Sequence, residues 1–312
     1  MIATVLCGSR NIFTVALDDA RIIECRLKGK VFKDDGLYAN PLAVGDRVQV
    51  ECDKSDPDRG LIVGLEARRN MLMRLKQRGQ LPQLISCNID LVLCVTTPEQ
   101  PPFRPRFLDR ALLQADCAGI PAMLVCNKKD LFAEDLCIES RLCDFQRLGY
   151  PVFRVCALNG EGMDELRAAL SGLCVTMLGQ SGVGKSSIIK ALSPRAPIRI
   201  GALNQKYDRG NHTTVMASVF DIAGTEKHKS TRIIDTPGIR TLLPAGISEE
   251  NLVYYLREFA PLVGTCQFGL SCSHEHESGC SILDALNEGA IHPDRYESFL
   301  RIRDELRFLR AY

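Results

Sequence analysis

Gly179-Gln180-Ser181-Gly182-Val183-Gly184-Lys185-Ser186 constrains this chain more than any other stretch, because an apolar run, CVTML, precedes it and a helix-periodic run, SSIIKAL, follows. Strand, glycine-rich turn and helix in that order make a P-loop, a device of parallel α/β sheets. The glycines let backbone N–H groups converge on phosphate, and the helix N-terminus adds positive potential. Lys185 is placed to reach the β- and γ-phosphates of a nucleotide and Ser186 to bind Mg²⁺, with Ser187 grouped in the same nucleotide-binding turn. The motif asks for a nucleotide and leaves its base open.

Asn127-Lys128-Lys129-Asp130 supplies the base, standing at the end of the apolar run AMLVC, where an α/β sheet presents its ligand loops. A carboxylate accepts two hydrogen bonds from the guanine N1–H and 2-amino group, which adenine lacks. Asp130 is that acceptor, Asn127 holds the loop and contacts the base, and Lys128 lies along its plane. Cys156-Ala157-Leu158 ends the next strand-like run. It is similar to the Ser-Ala-Leu segment that GTPases place beside the guanine carbonyl, with the Ala157 backbone N–H as donor. A thiol at 156 is a weaker donor than the hydroxyl it replaces.

Asp235-Thr236-Pro237-Gly238 follows the run RII. In this context Asp235 reads as the second Mg²⁺-associated acid and the Gly238 N–H as the γ-phosphate sensor. Gly210-Asn211-His212-Thr213-Thr214 falls between the P-loop helix and the run ASVFDI, where a first switch belongs, with Thr213 or Thr214 closing on Mg²⁺. Ile239 follows Gly238, where many GTPases carry the glutamine that orients the attacking water. An aliphatic side chain cannot do that, and His212 is the available substitute.

The order of these motifs is itself informative. The guanine loops at 127–130 and 156–158 precede the P-loop, and the sensor at 235–238 comes last. Joining the ends of a GTPase sheet and cutting it elsewhere leaves every strand neighbour unchanged, so a circularly permuted P-loop GTPase domain is expected over 88–245. Its strands read as DLVLCVT, AMLVCN, PVFRVCA, CVTMLG and RIIDT, with helices near 107–118, 138–148 and 163–171. The sensor then leads straight toward the C-terminal segment, so nucleotide state could be passed on by ordering one stretch of chain.

Residues 1–70 alternate short aliphatic runs with Gly, Asp and Asn, the pattern of a small all-β barrel. A basic connector over 71–87 follows; between Ala67 and Ile89 lie Arg68, Arg69, Arg74, Lys76 and Arg78 with no acid. Such a run is either a solvated linker or a surface for phosphate backbone. The remainder, 246–312, reads as a mostly helical zinc-binding domain: Cys266, Cys272, His274 and Cys280 match one closed structural Zn²⁺ site, with His276 a rival ligand. Of the other cysteines, Cys94, Cys126, Cys156 and Cys174 sit within or at the edge of apolar runs as small hydrophobes, and no disulfide is needed. A net charge of +1 excludes a globally basic field. No run is long enough to span a bilayer, and MIATVLCGSRNIF lacks the layout of a secretory signal, so cytoplasmic residence and no membrane partner are expected, with a monomer as the default.

Barrel, permuted motif order and Cys-Cys-His-Cys knot together resemble the ribosome small-subunit-dependent GTPase family of bacteria, over essentially the whole chain. Ala43-Val44-Gly45-Asp46, Asn88-Ile89-Asp90 and Arg295-Tyr296 belong to the same resemblance. It implies an oligonucleotide-binding (OB) type barrel and GTP and GDP as ligands. It also implies weak hydrolysis stimulated by the small ribosomal subunit, a role in late maturation of that subunit, and contact with its rRNA. It puts the catalytic histidine at His212 and adds Lys227, Lys229, Arg232, Arg301, Arg303, Arg307 and Arg310 to the connector as RNA contacts. Departures are Asn211 for arginine, Cys156 for serine, and five residues between Cys266 and Cys272, one more than usual. The other reading is a guanine-nucleotide-dependent RNA-binding scaffold with negligible hydrolysis.

Overall fold

A computed structural model describes residues 1–9, 11–29, 37–75, 81–132, 136–193, 198–200, 217–236 and 242–310. Five strands, β1 (Ile2–Ser9), β2 (Ile12–Leu17), β3 (Ile22–Leu27), β4 (Arg47–Cys52) and β5 (Arg59–Leu65), close into a barrel in the order β1-β2-β3-β5-β4. Alternation builds it: in β4, Val48 and Val50 point inward while Arg47, Gln49 and Glu51 face out. Closure leaves no unpaired edge among these strands.

The connector is not a solvated linker. It carries an antiparallel ribbon of β6 (Met71–Arg74) and β7 (Gln83–Cys87), because MLMR and QLISC offer buried Leu72, Leu84 and Cys87. Arg68 and Arg69 are tied up at the joint. Arg68 donates from two nitrogens to Asp46, at 2.8 and 2.9 Å, and Asp46 is fully buried. Arg69 pairs with Asp90 at 2.7 Å, whose other oxygen accepts the Cys174 N–H. Gly45 adopts φ +91°, and a Cβ there would lie 2.0 Å from the Cys87 carbonyl oxygen, so only glycine lets the two backbones meet. Arg74 reaches Gln83 at 3.2 Å; Lys76 and Arg78 lie outside the described residues.

The main sheet has the order β10-β9-β8-β11-β14-β13-β12. Its members are β8 (Leu91–Thr96), β9 (Ala122–Cys126), β10 (Val152–Arg154), β11 (Cys174–Gly179), β12 (Ile198–Ile200), β13 (Ser218–Ile222) and β14 (Thr231–Asp235). From β10 to β14 neighbours are parallel; β13 and β12 add an antiparallel edge. All six residues of β8 are buried, as both faces are covered. Helices α1 (Pro105–Cys117) and α2 (Leu136–Arg147) pack on one face, α3 (Met163–Leu170) and α4 (Lys185–Leu192) on the other. In α1, Phe107, Leu108, Ala111, Leu112 and Ala115 recur at helical spacing and face the sheet. β11 is central, flanked by β8 and β14 although those strands are far apart in sequence: the permuted order in physical form.

Beyond the sheet, Leu75 N–H donates to the Leu243 carbonyl at 3.0 Å, and the Gln114 side-chain amide exchanges two bonds with the Ala245 backbone. The terminal region opens with short 3-10 turns at Leu252–Tyr255, Ala260–Leu262 and Gly269–Ser271, and only then becomes α-helical in α5 (Ser281–Asn287) and α6 (Pro293–Arg310). Its core includes Leu256, Phe259, Phe299 and Leu306, with Leu113 of α1 inserted. Among the described residues no helix is long and apolar enough to cross a membrane, and no two cysteines form a disulfide.

Candidate functional site

The carboxyl ends of β9, β10, β11 and β14 bring four loops to one edge of the sheet. Asn127, 2% exposed, binds three of them together. Its Nδ2 donates to the Val183 carbonyl at 3.0 Å, and its Oδ1 accepts the Ala157 N–H at 3.0 Å. The Ala157 N–H, expected to stand open toward a base, thus orders Asn127 in this structure. Lys128 adopts a left-handed φ of 60° and its Nζ donates to the Gln100 carbonyl. The Cys156 thiol donates to Asp130 Oδ1 at 3.0 Å.

Asn127, Lys128, Asp130, Cys156, Ala157 and Leu158 line a cavity of about 650 Å³ that Gly184, Ser187 and Lys190 close from the P-loop helix. A volume of that order suits a small ligand. Lys190 is a lining residue that motif reading passed over; it follows Ser187 by three positions and so shares its helix face. Leu158 is 89% exposed at the rim, open to cover a flat ligand.

At the P-loop, Gly184 takes φ +89° as α4 begins, and a Cβ there would meet Asn127 Nδ2 at 2.3 Å. Val183 is buried, while Ser181, Gly182, Ser186 and Ser187 are exposed around the turn and Gln180 is half-buried. Lys185 Nζ donates to the carbonyls of Gly179 at 2.8 Å and Gln180 at 3.2 Å. Burial pushes its ammonium below the usual value, and the nearby Asp235 carboxylate acts in the opposite sense. Asp235 ends β14 beside Met177 of β11, and Thr236 Oγ1 donates to the Met177 carbonyl at 2.7 Å. His212, Thr213, Thr214, Gly238 and Ile239 lie outside the described residues.

A second cluster stands apart. Cys266, Cys272, His274 and Cys280 are all buried, with one donor atom of each within 4.8 Å of the others. The Cys266 and Cys280 sulfurs are 3.9 Å apart, and His274 Nδ1 lies 3.6 and 3.4 Å from them. A tetrahedral ion bonded at about 2.3 Å to two thiolates sets them about 3.8 Å apart, so these donors fit zinc. Burial pushes the His274 imidazole below its usual value, which favours the neutral, ligating form. The Tyr296 hydroxyl donates to the His274 carbonyl at 2.7 Å, and the Glu277 carboxylate accepts the N–H groups of Ser273, Glu275 and His276. His276 is exposed and outside the cluster.

The arginines expected at an RNA surface are mostly engaged. Arg303 is 4% exposed, donates to the Ser273 carbonyl and Glu275, and lies 5.1 Å from the Phe299 ring centre, which corrects its assignment to a contact surface. Arg232 pairs with Asp221, Arg301 with Glu297 and Arg307 with Glu249. Lys227 and Lys229 are exposed; the Arg310 side chain lies outside the described set.

A family model described as RsgA GTPase matches residues 65–243. Among curated relatives, the small ribosomal subunit biogenesis GTPase RsgA of Bacteroides fragilis is 32% identical over 96% of each chain. The protein of the same name from Chlorobaculum parvum is 35% identical over 94% of each. Among solved structures, YjeQ from Thermotoga maritima superposes with a TM-score of 0.70 at 29% identity, covering 98% of both chains. YloQ, described as a circularly permuted GTPase, shares the fold with a TM-score of 0.66 at 22% identity over 98% of this chain and 94% of its own.

Proposed function

The chain belongs to the RsgA GTPase family, and on that premise we propose that it binds GTP and hydrolyses it to GDP in the late maturation of the small ribosomal subunit. One observation supports the guanine site most: Asn127, Asp130 and Cys156 converge on a single cavity with the start of the P-loop helix.

Asp130 accepts the guanine N1–H and 2-amino group, Lys128 and Leu158 cover the two faces of the base, and Asn127 holds both loops in register. Lys185 exchanges its two carbonyl acceptors for β- and γ-phosphate oxygens. Ser186 and Asp235 would hold Mg²⁺, with Thr213 or Thr214 joining them; the ion neutralises phosphate charge when bound. The Gly238 N–H senses the γ-phosphate. Since Ile239 cannot orient water, His212 takes that task. Cys266, Cys272, His274 and Cys280 would hold one zinc, which contributes folding energy to the terminal domain.

The division into an OB-type barrel (1–70), connector (71–87), GTPase domain (88–245) and zinc domain (246–312) belongs to the same proposal. So do contact with the subunit's rRNA, for which exposed Lys227 and Lys229 are available, a monomeric state and cytoplasmic residence.

The test is steady-state GTP hydrolysis by the full chain, alone and with isolated small subunits. A slow basal rate that rises by orders of magnitude supports the proposal. A flat, near-zero rate in both, with guanine nucleotide still bound, supports the scaffold instead. Full stimulated turnover by His212→Ala would remove that residue from the mechanism.

A further inference from the structure

We propose that the cavity between the barrel and the GTPase sheet is a binding site for an amphipathic organic anion, a compact apolar body carrying one carboxylate or sulfonate. The site is separate from the nucleotide cavity and does not depend on the guanine reading.

Its volume is about 430 Å³, within the range of small-molecule pockets, and it lies at a domain junction, where such pockets concentrate. The lining comes from the edge of the sheet away from the nucleotide loops. Cys174 starts β11 and Thr231 starts β14, the two strands whose carboxyl ends carry the P-loop and the Asp235 loop.

Strand register builds the two walls. In β13 and β14 the pairs Val219–Ile234 and Asp221–Arg232 stand two residues apart, so they share one sheet face, and all four line the cavity. From the barrel side, Thr4 of β1 pairs with Arg47 of β4, and both line it as well. Their strand neighbours Ala3, Val5 and Val48 fill the barrel core, so Thr4 and Arg47 point outward. Leu6 and Val44, both buried, add apolar wall.

The charges in these walls are unequally engaged. Asp221 accepts two Arg232 nitrogens, at 2.7 and 2.8 Å, so the pair is neutral. Asp90 is neutralised by Arg69 at 2.7 Å, and its second oxygen accepts the Cys174 N–H. Arg47 differs. Among the described residues its ion pair is with Asp18 at 3.4 Å, between side chains 47% and 64% exposed, and such pairs contribute little. A guanidinium beside an apolar wall gains by exchanging that partner for a well-seated anion, because the wall lowers the local dielectric. A dianionic phosphate brings a second charge that nothing here meets, and a wholly apolar molecule leaves Arg47 unused. One anionic group on an apolar body satisfies both parts of the site.

The test uses anilinonaphthalene sulfonate, an apolar fluorophore with one sulfonate, and its uncharged parent phenylnaphthylamine. Each is titrated into the full-length chain with GDP in excess to occupy the nucleotide cavity. Wild type, Arg47→Gln and Thr4→Phe are compared, each checked for native circular dichroism. The wild type is expected to bind one sulfonate per chain with enhanced fluorescence. Loss of one charge-assisted bond predicts that Arg47→Gln weakens the sulfonate about ten-fold and leaves the parent within about two-fold. Thr4→Phe, which puts a ring into the cavity, should weaken both. Absence of saturable binding to the wild type overturns the proposal. So does unchanged sulfonate affinity in Thr4→Phe, which places the dye elsewhere, or equal behaviour of the two dyes in Arg47→Gln, which removes the anion. If Thr4→Phe does not fold, an unchanged sulfonate-to-parent ratio in folded Arg47→Gln is sufficient to overturn it.

Discussion

Arg295 donates to Asp109 at 3.1 Å with both side chains 1% exposed, and this pair joins the last helix of the chain to the first helix of the GTPase sheet. Asp109 also accepts Arg141 at 2.7 Å and the Ser298 hydroxyl at 2.5 Å, while Arg295 reaches Glu258 at 2.6 Å. Near the rim, Arg110 grips Glu305 with two bonds and Arg106 meets Glu297. The terminal domain is thus keyed onto α1 by a buried pair, Arg295 and Asp109, with more exposed pairs at the rim.

Arg295→Met is expected to destabilise the protein by about 3 kcal/mol, because it strands Glu258 in the interior and leaves Asp109 to Arg141 and Ser298. Urea unfolding followed by far-UV circular dichroism measures it. A midpoint equal to that of the wild type would show that the pair is not needed to close the interface.

Glu258 gives the same interface a pH dependence. Burial alone would raise its carboxyl, but Arg295 outweighs burial and holds it below the ordinary 4.5. A carboxyl depressed in the folded state contributes stability that is complete above about pH 4.5 and is lost as pH falls through the lowered value. Unfolding midpoints should therefore drop below pH 4.5 more steeply in the wild type than in Glu258→Gln, with little difference in slope between pH 6 and 8.

Asp130→Asn should exchange guanine for xanthine, since an amide can donate to the carbonyl that xanthine carries at C2. Two lost charge-assisted bonds correspond to about 3 kcal/mol, roughly a hundred-fold in GDP affinity. Competition between GDP and XDP reads this directly, and retained GDP preference would place base recognition elsewhere.

Metal analysis of the purified protein should find one zinc per chain, and Cys272→Ser should lower that content. Chelation is expected to unfold residues around the cluster first, since the loop from Thr265 to Gly279 has one short 3-10 turn in place of longer elements. Hydrogen exchange localises the effect; uniform loosening of the whole chain would contradict it.

Much of the site was legible because its rules are local. A P-loop needs strand, glycines and helix within a dozen residues, and the metal cluster spans only 266–280. What joins the parts was not legible. Arg295 and Asp109 lie 186 positions apart, Gln114 and Ala245 131, and a single pair at such distance leaves no periodicity to read. Arg303 looked like a surface cation because a helix of arginines and acids hides which of its faces is turned inward. The connector misled for a related reason: its charges stood out, while the Leu and Met that make it a ribbon were too few to register as strands.

The bonds at Leu243 and Ala245 have a mechanical consequence. They moor the chain within ten residues of Asp235, Leu243 to the β6–β7 ribbon and Ala245 to α1. The chain beyond the sheet is thus held at two points, on the β6–β7 ribbon through Leu75 and on α1 through Gln114, and exchange of the Leu75 amide reads the first of them. The covalent path from Asp235 runs toward the C-terminus, but among the described residues the first backbone hydrogen bond beyond the sheet runs backwards, to the ribbon that follows the barrel.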